Sequence, residues 1–175
     1  MKCASGRKFL NCIYVDKMAC LFAALLIMTV PLPWLAASFT AALLHELGHI
    51  CVVLLCGGRI TDLRIGLGGA VLHSGGMKPI HSILSIAAGP AVSLSLLFLF
   101  PWLPRFALCG AAQGLFNLLP IFPLDGGRMV GELVCFLFSD RTAGIIRKTV
   151  ETIFLLMLGI CILAGAFTLL FTRFG

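Results

Sequence analysis

A chain of 175 residues with 60% hydrophobic and only 11% charged side chains lacks the charge to cover a water-facing surface, since soluble domains carry about 25%. Its net charge of +6 comes from short Lys and Arg clusters between apolar runs, not from a basic stripe interleaved with aromatics, which argues against a nucleic-acid binder. What remains is an integral membrane protein, expected to form one membrane-embedded domain over residues 1–175.

In chain order, residues 1–17 hold Lys2, Arg7, Lys8 and Lys17 against Asp16 and are expected to form a basic cytoplasmic N-terminus. An apolar run from about Met18 to Ala37 reads as a retained first span, because the uncharged stretch is far longer than the core of a signal peptide. Pro31 and Pro33 kink its end or form a tight turn. A second span runs from about Ser38 to Cys56 and stops at Gly57-Gly58.

Next, Arg59 to Leu72 is Gly-rich and alternates Leu63, Ile65 and Leu67 with Arg64 and Gly66, which suggests short strands or a hairpin. A third span runs from about Ile80 to Leu103 and a fourth from about Arg105 to Phe122. Arg128 to Phe138 is apolar around Glu132 but too short to cross alone, so it reads as a re-entrant or interfacial helix. The last span covers about Val150 to Phe171. The expected fold class is an all-α polytopic membrane protein. It is a bundle of about five (four to six) transmembrane helices with a short β-hairpin-like loop between helices two and three.

Orientation follows from the cations. Arg59, Arg64 and Lys78 lie in one loop, and Arg128, Arg141, Arg147 and Lys148 in another. Two crossings separate each group from the one before, so both fall on the side of the basic N-terminus. Six of the eight cysteines, Cys20, Cys51, Cys56, Cys109, Cys135 and Cys161, lie in apolar runs. No pair has C-x-x-C spacing, so they read as small buried hydrophobes without a structural disulfide.

Chemistry concentrates in five residues, His45-Glu46-Leu47-Gly48-His49. Histidines at i and i+4 share one helix face and can bind one metal, with the intervening Glu as general base. Glu46 also lies in a run otherwise free of formal charge from Met18 to Gly58, where a lone charge costs at least about 2.5–3.5 kcal/mol. The competing reading is a Glu–His pair that joins helices, although that role usually falls to Ser, Thr, Asn or Gln. His73 and His81 read as bystanders.

A catalytic zinc takes three protein ligands and keeps one open position. The third candidate is Asp125, where Pro120, Pro123 and Gly126-Gly127 break the helical pattern as a cavity-lining segment would. Glu132 is a conceivable substitute. A C-cap or a salt bridge to Arg128 would account for Asp125 without a metal.

Three motifs in order carry a resemblance: His45-Glu46-Leu47-Gly48-His49, Ala88-Gly89-Pro90, and Asn117 to Arg128, which reads N-x-x-P followed by L-D-G-G-R. The chain resembles the site-2 protease family of intramembrane zinc metalloproteases. In size and order it is similar to the branch that processes a sporulation pro-sigma factor. The resemblance implies one zinc ion held by His45, His49 and Asp125, with Glu46 as catalytic base. It gives Asn117 a part in holding the substrate or the oxyanion, and makes Gly89, Pro90, Pro120, Gly126 and Gly127 structural motif positions.

The function expected is hydrolysis of a peptide bond in or near a transmembrane segment of a membrane-protein substrate, in regulated intramembrane proteolysis. The expected setting is the lipid bilayer of a bacterial cell membrane, with a regulatory membrane partner and no nucleic acid. The site is expected roughly 10 Å inside the cytoplasmic end of the second span. The strand-like segment could accept unwound substrate by edge pairing. The alternative is a non-catalytic relative or transporter that keeps the fold and uses the polar site for binding. Glu46 argues against it, because a metal-binding scaffold has no need of that carboxylate.

Overall fold

The structure is a computed structural model that describes residues 13–15, 24–66, 69–75 and 77–174. The basic N-terminus and the start of the first expected span lie largely outside the described residues. Residues 24–29 are helical, and the chain then breaks at Pro31.

The first long helix, α1, is Leu32–Leu55, with Pro31 as N-cap. Pro33 does not end the preceding span; it sits in the first turn of α1. Proline is tolerated there because the first N–H groups of a helix have no intrahelical acceptor. The helix therefore starts six residues earlier than the sequence pattern suggests. Its 24 residues extend about 36 Å, enough to cross a hydrocarbon core of about 30 Å.

The other end of α1 is closed by Gly57 with φ +72°. Gly58 N–H donates to Val53 C=O at 2.9 Å and Gly57 N–H to Leu54 C=O at 3.0 Å. These are the paired bonds of a Schellman cap, which needs a left-handed residue. The chain then enters strands β2 (Arg59–Gly66) and β3 (Gly69–Gly75). They pair antiparallel, with Leu63 opposite Leu72, and β1 (Ile13–Val15) adds a parallel edge to β2. That third strand has no counterpart in the sequence reading, since a three-residue segment carries no usable periodicity.

Helix α2 is Pro79–Ser95 and continues as a 3₁₀ turn, Leu96–Leu99. Helix α3 is Pro104–Asn117, five residues shorter at its C-terminus than the expected span to Phe122. The pattern of prolines explains the shortening: Pro120 and Pro123 cannot continue a helix, and residues before proline avoid the α region. At 14 residues α3 is too short to cross a bilayer by itself. Helix α4 is Asp125–Leu137 and α5 is Asp140–Phe174. The latter begins ten residues before the expected Val150, opened by Ser139, whose carbonyl accepts from Ala143 N–H at 2.8 Å and whose hydroxyl lies 3.1 Å from Thr142 Oγ1. Among the described residues, two helical stretches are long and apolar enough to cross a membrane, Leu32–Leu55 and Pro79–Leu99.

Helix α2 is the hub: it packs on α1, α3 and α4, while α5 packs on α4. Small residues allow the close approach. Ala107, Gly110, Ala111 and Gly114 form one buried stripe of α3. A Cβ at Gly114 would lie 3.0 Å from Ser93 Cβ and 3.3 Å from Pro90 C=O. A Cβ at Gly48 of α1 would meet the Ala88 carbonyl of α2 at 3.0 Å. Such stripes are how helices associate when lipid supplies no hydrophobic drive. The polarity is inverted relative to a soluble protein. Met28, Leu55, Phe98 and Trp102 are exposed, while His45, His49, Ser85, Ser93 and Asp125 are buried. An apolar exterior around a polar centre suits a lipid setting.

Candidate metal centre

His45 and His49 lie one turn apart on the face of α1 that meets α2. Asp125 comes from a different part of the chain, as the first residue of α4. A sequence-level C-cap reading of Asp125 is thereby overturned: it opens a helix, where the N-terminal end of the dipole favours a carboxylate. The Leu118–Leu124 turn lies against this helix end. A Cβ at Gly126 would run into the Leu118 carbonyl and sit 2.6 Å from the Leu119 carbonyl. One at Gly127 would sit 2.6 Å from the Ile121 carbonyl. Only glycine at both positions lets the turn hold Asp125 inward.

Three donor atoms converge. Asp125 Oδ2 is 3.0 Å from His45 Nε2 and 3.1 Å from His49 Nε2, and the two Nε2 atoms are 3.2 Å apart. This is a nearly equilateral triangle. Two ligands bound at about 2.0–2.1 Å to a tetrahedral zinc lie roughly 3.3 Å apart. His45, His49 and Asp125 could therefore hold one metal ion.

The protons favour a cation there. His49 Nδ1 lies 2.7 Å from the Ser85 carbonyl, which can only accept, so Nδ1 carries the proton and a neutral ring turns its bare Nε2 inward. That lone pair faces a carboxylate oxygen and the other imidazole. Without a cation a proton must sit between these atoms to avoid facing lone pairs, whereas one cation would serve all three acceptors. Ser93 Oγ, fully buried, lies 2.9 Å from His45 Nδ1 and fixes the second ring.

Space is cut to fit as well. A Cβ at Gly89 would fall onto the Nε2 and Cε1 atoms of His49, with Cδ2 at 2.8 Å. Ala88-Gly89-Pro90 is thus the wall against which the His49 ring rests. Pro90 is buried beside it.

Glu46 is half-buried, one residue along α1 from His45. Arg128 Nη1 lies 3.5 Å from Asp125 Oδ1, so the salt bridge weighed as an alternative to the metal coexists with the donor triangle. Asn117 is the last residue of α3 and is half-buried, but its side chain is not among the hydrogen-bond partners of the triad. Glu132 and His81 stand outside the donor group. Ser85 and Ser93 escape the sequence reading. Their signal is the spacing Ser85, Gly89, Ser93, which puts three small residues four apart on one face of α2.

Comparison with known proteins agrees with this geometry. The family model described as Peptidase family M50 matches residues 71–164. A zinc metalloprotease of Methanocaldococcus jannaschii is 32% identical over 137 residues, covering 67% of this chain and 40% of that protein. A zinc metalloprotease candidate of Synechocystis sp. is 34% identical over 138 residues, covering 65% of this chain and 36% of that protein. The chain thus spans between a third and two-fifths of these curated relatives. The solved site-2 protease of Methanocaldococcus jannaschii superposes with a TM-score of 0.66 at 23% identity, over 93% of this chain and 86% of that one, so the two share a fold. With its donor triangle set in that fold and more than half its length matched by the family model, the chain belongs to peptidase family M50, the family of the site-2 proteases.

Proposed function

We propose that this chain is an intramembrane zinc metalloendopeptidase that hydrolyses a peptide bond in or near a transmembrane segment of a membrane-protein substrate. The observation that carries the reading is the meeting of His45 Nε2, His49 Nε2 and Asp125 Oδ2 in one buried triangle, with Glu46 next to His45 in the same helix. His45, His49 and Asp125 would hold the ion. When bound, zinc supplies a Lewis acid that acidifies water and polarises a carbonyl.

The rest belongs to the protein. Glu46 takes the proton of the attacking water and later delivers it to the leaving amine, as a general base turned acid. Ser93 and the Ser85 carbonyl hold the imidazoles in place. Asn117 donates a hydrogen bond to the substrate backbone or the developing oxyanion. His49 lies about 9 Å of helix before Leu55, so water reaches the site from that end. A helical substrate hides its carbonyls in i to i−4 bonds and must unwind first.

In this reading residues 1–175 form one membrane-embedded domain of about five spans in a bacterial cell membrane. The N-terminus and the loops carrying Arg59 and Arg128 face the cytoplasm. A regulatory membrane protein controls access.

Glu46→Gln tests the reading. The variant should keep one zinc and lose cleavage of a detergent-solubilised single-span substrate by at least about 100-fold, the lower range for a general base. Zinc bound without cleavage in the wild type, across a panel of such substrates, would favour the non-catalytic binding protein. Cleavage undiminished in Glu46→Gln would remove Glu46 from its role.

A further inference from the structure

Asp125 has two oxygens, and the structure uses them differently. Oδ2 completes the triangle with both imidazoles, at 3.0 and 3.1 Å. Oδ1 instead lies 3.5 Å from Arg128 Nη1. Arg128 lies three residues further along the first turn of α4, one helical turn from Asp125. Its backbone N–H donates to the Leu124 carbonyl at 3.0 Å, which fixes its place on that turn. Its side chain is 20% exposed.

We infer that Arg128 is a positioning residue that holds Asp125 Oδ1 aside, so that a single carboxylate oxygen faces the two imidazoles. A catalytic zinc needs an open position beside its three protein ligands. A carboxylate free to rotate can offer both oxygens and close that position. A guanidinium anchoring Oδ1 opposes the rotation, as partners behind metal ligands do in general. The inference rests on the metal-site reading above and adds the residue that keeps the third ligand single.

The test uses full-length protein in detergent, stripped of metal and titrated with Zn²⁺ against a chelator, and with Co²⁺ read by its visible absorption. Two variants are compared, Arg128→Gln and Arg128→Lys, with the melting temperature of each metal-free protein as a check on folding. Arg128→Gln should weaken zinc binding by about 10–100-fold, the usual effect of losing a partner of a metal ligand. Its Co²⁺ spectrum should move to the weaker bands of higher coordination. Arg128→Lys should restore part of both, since it keeps the charge but loses the planar fork.

Affinity and spectrum equal to wild type in both variants would overturn the inference. So would losses that follow the metal-free melting temperature equally in Gln and Lys, which would mark a packing role. Failure of the wild type to bind any metal would instead overturn the metal-site reading itself.

Discussion

Gly89 of α2 and His49 of α1 touch so closely that no side chain fits between them. A Cβ at Gly89 would fall on the imidazole Nε2, the atom that points into the donor triangle. Glycine here sets the position of an imidazole rather than relaxing the backbone, since the residue is in the middle of a helix. Gly89→Ala should therefore push the ring off its acceptor at Ser85 and abolish or sharply weaken zinc binding, measured by metal content after dialysis. Zinc retained at wild-type affinity would show that α1 and α2 can part without cost to the site.

Ser93 makes a second prediction. Its hydroxyl is fully buried and serves His45 Nδ1 at 2.9 Å. Ser93→Ala leaves that ring nitrogen unpaired and should weaken zinc by about 10–100-fold. The cavity left by one oxygen is small, so chelator competition should register the change well before the melting temperature does.

Glycines elsewhere separate packing from propensity. A Cβ at Gly114 would meet Ser93 Cβ at 3.0 Å and Pro90 C=O at 3.3 Å, whereas one at Gly144 in α5 meets nothing within 4 Å. Gly114→Val should cost about 1–3 kcal/mol by overpacking and also disturb zinc through Ser93. Gly144→Ala should stabilise by up to about 1 kcal/mol through helix propensity. Thermal unfolding in detergent checks both, and equal effects would refute the packing order described for α2 and α3.

Much of the site is legible in the sequence because it is local. His45, Glu46 and His49 fall within five residues, and the helical period alone puts the two rings on one face. Asp125 is harder, since its partner lies 80 positions away along the chain; only a lone acid among glycines and prolines marks it. Ser85 and Ser93 pass unnoticed because serine in an apolar helix has many uses.

Helix boundaries fail in a similar way. Pro33 reads as a stop but lies inside a first turn, and Pro120 ends α3 before Phe122 because the chain needs the Leu118–Leu124 turn to aim Asp125. The β1 strand depends on pairing with β2, across a sequence separation that no local pattern reports. Roles for Asn117 and the number of spans rest on the proposed function rather than on contacts.

The central claim is that one ion is shared by His45, His49 and Asp125, and its most direct test is zinc per chain in purified protein, wild type beside Asp125→Ala. The account predicts one zinc in wild type, and loss or severe weakening in the variant, because two imidazoles alone leave the triangle open. Equal zinc in both proteins would contradict it and place the third ligand elsewhere.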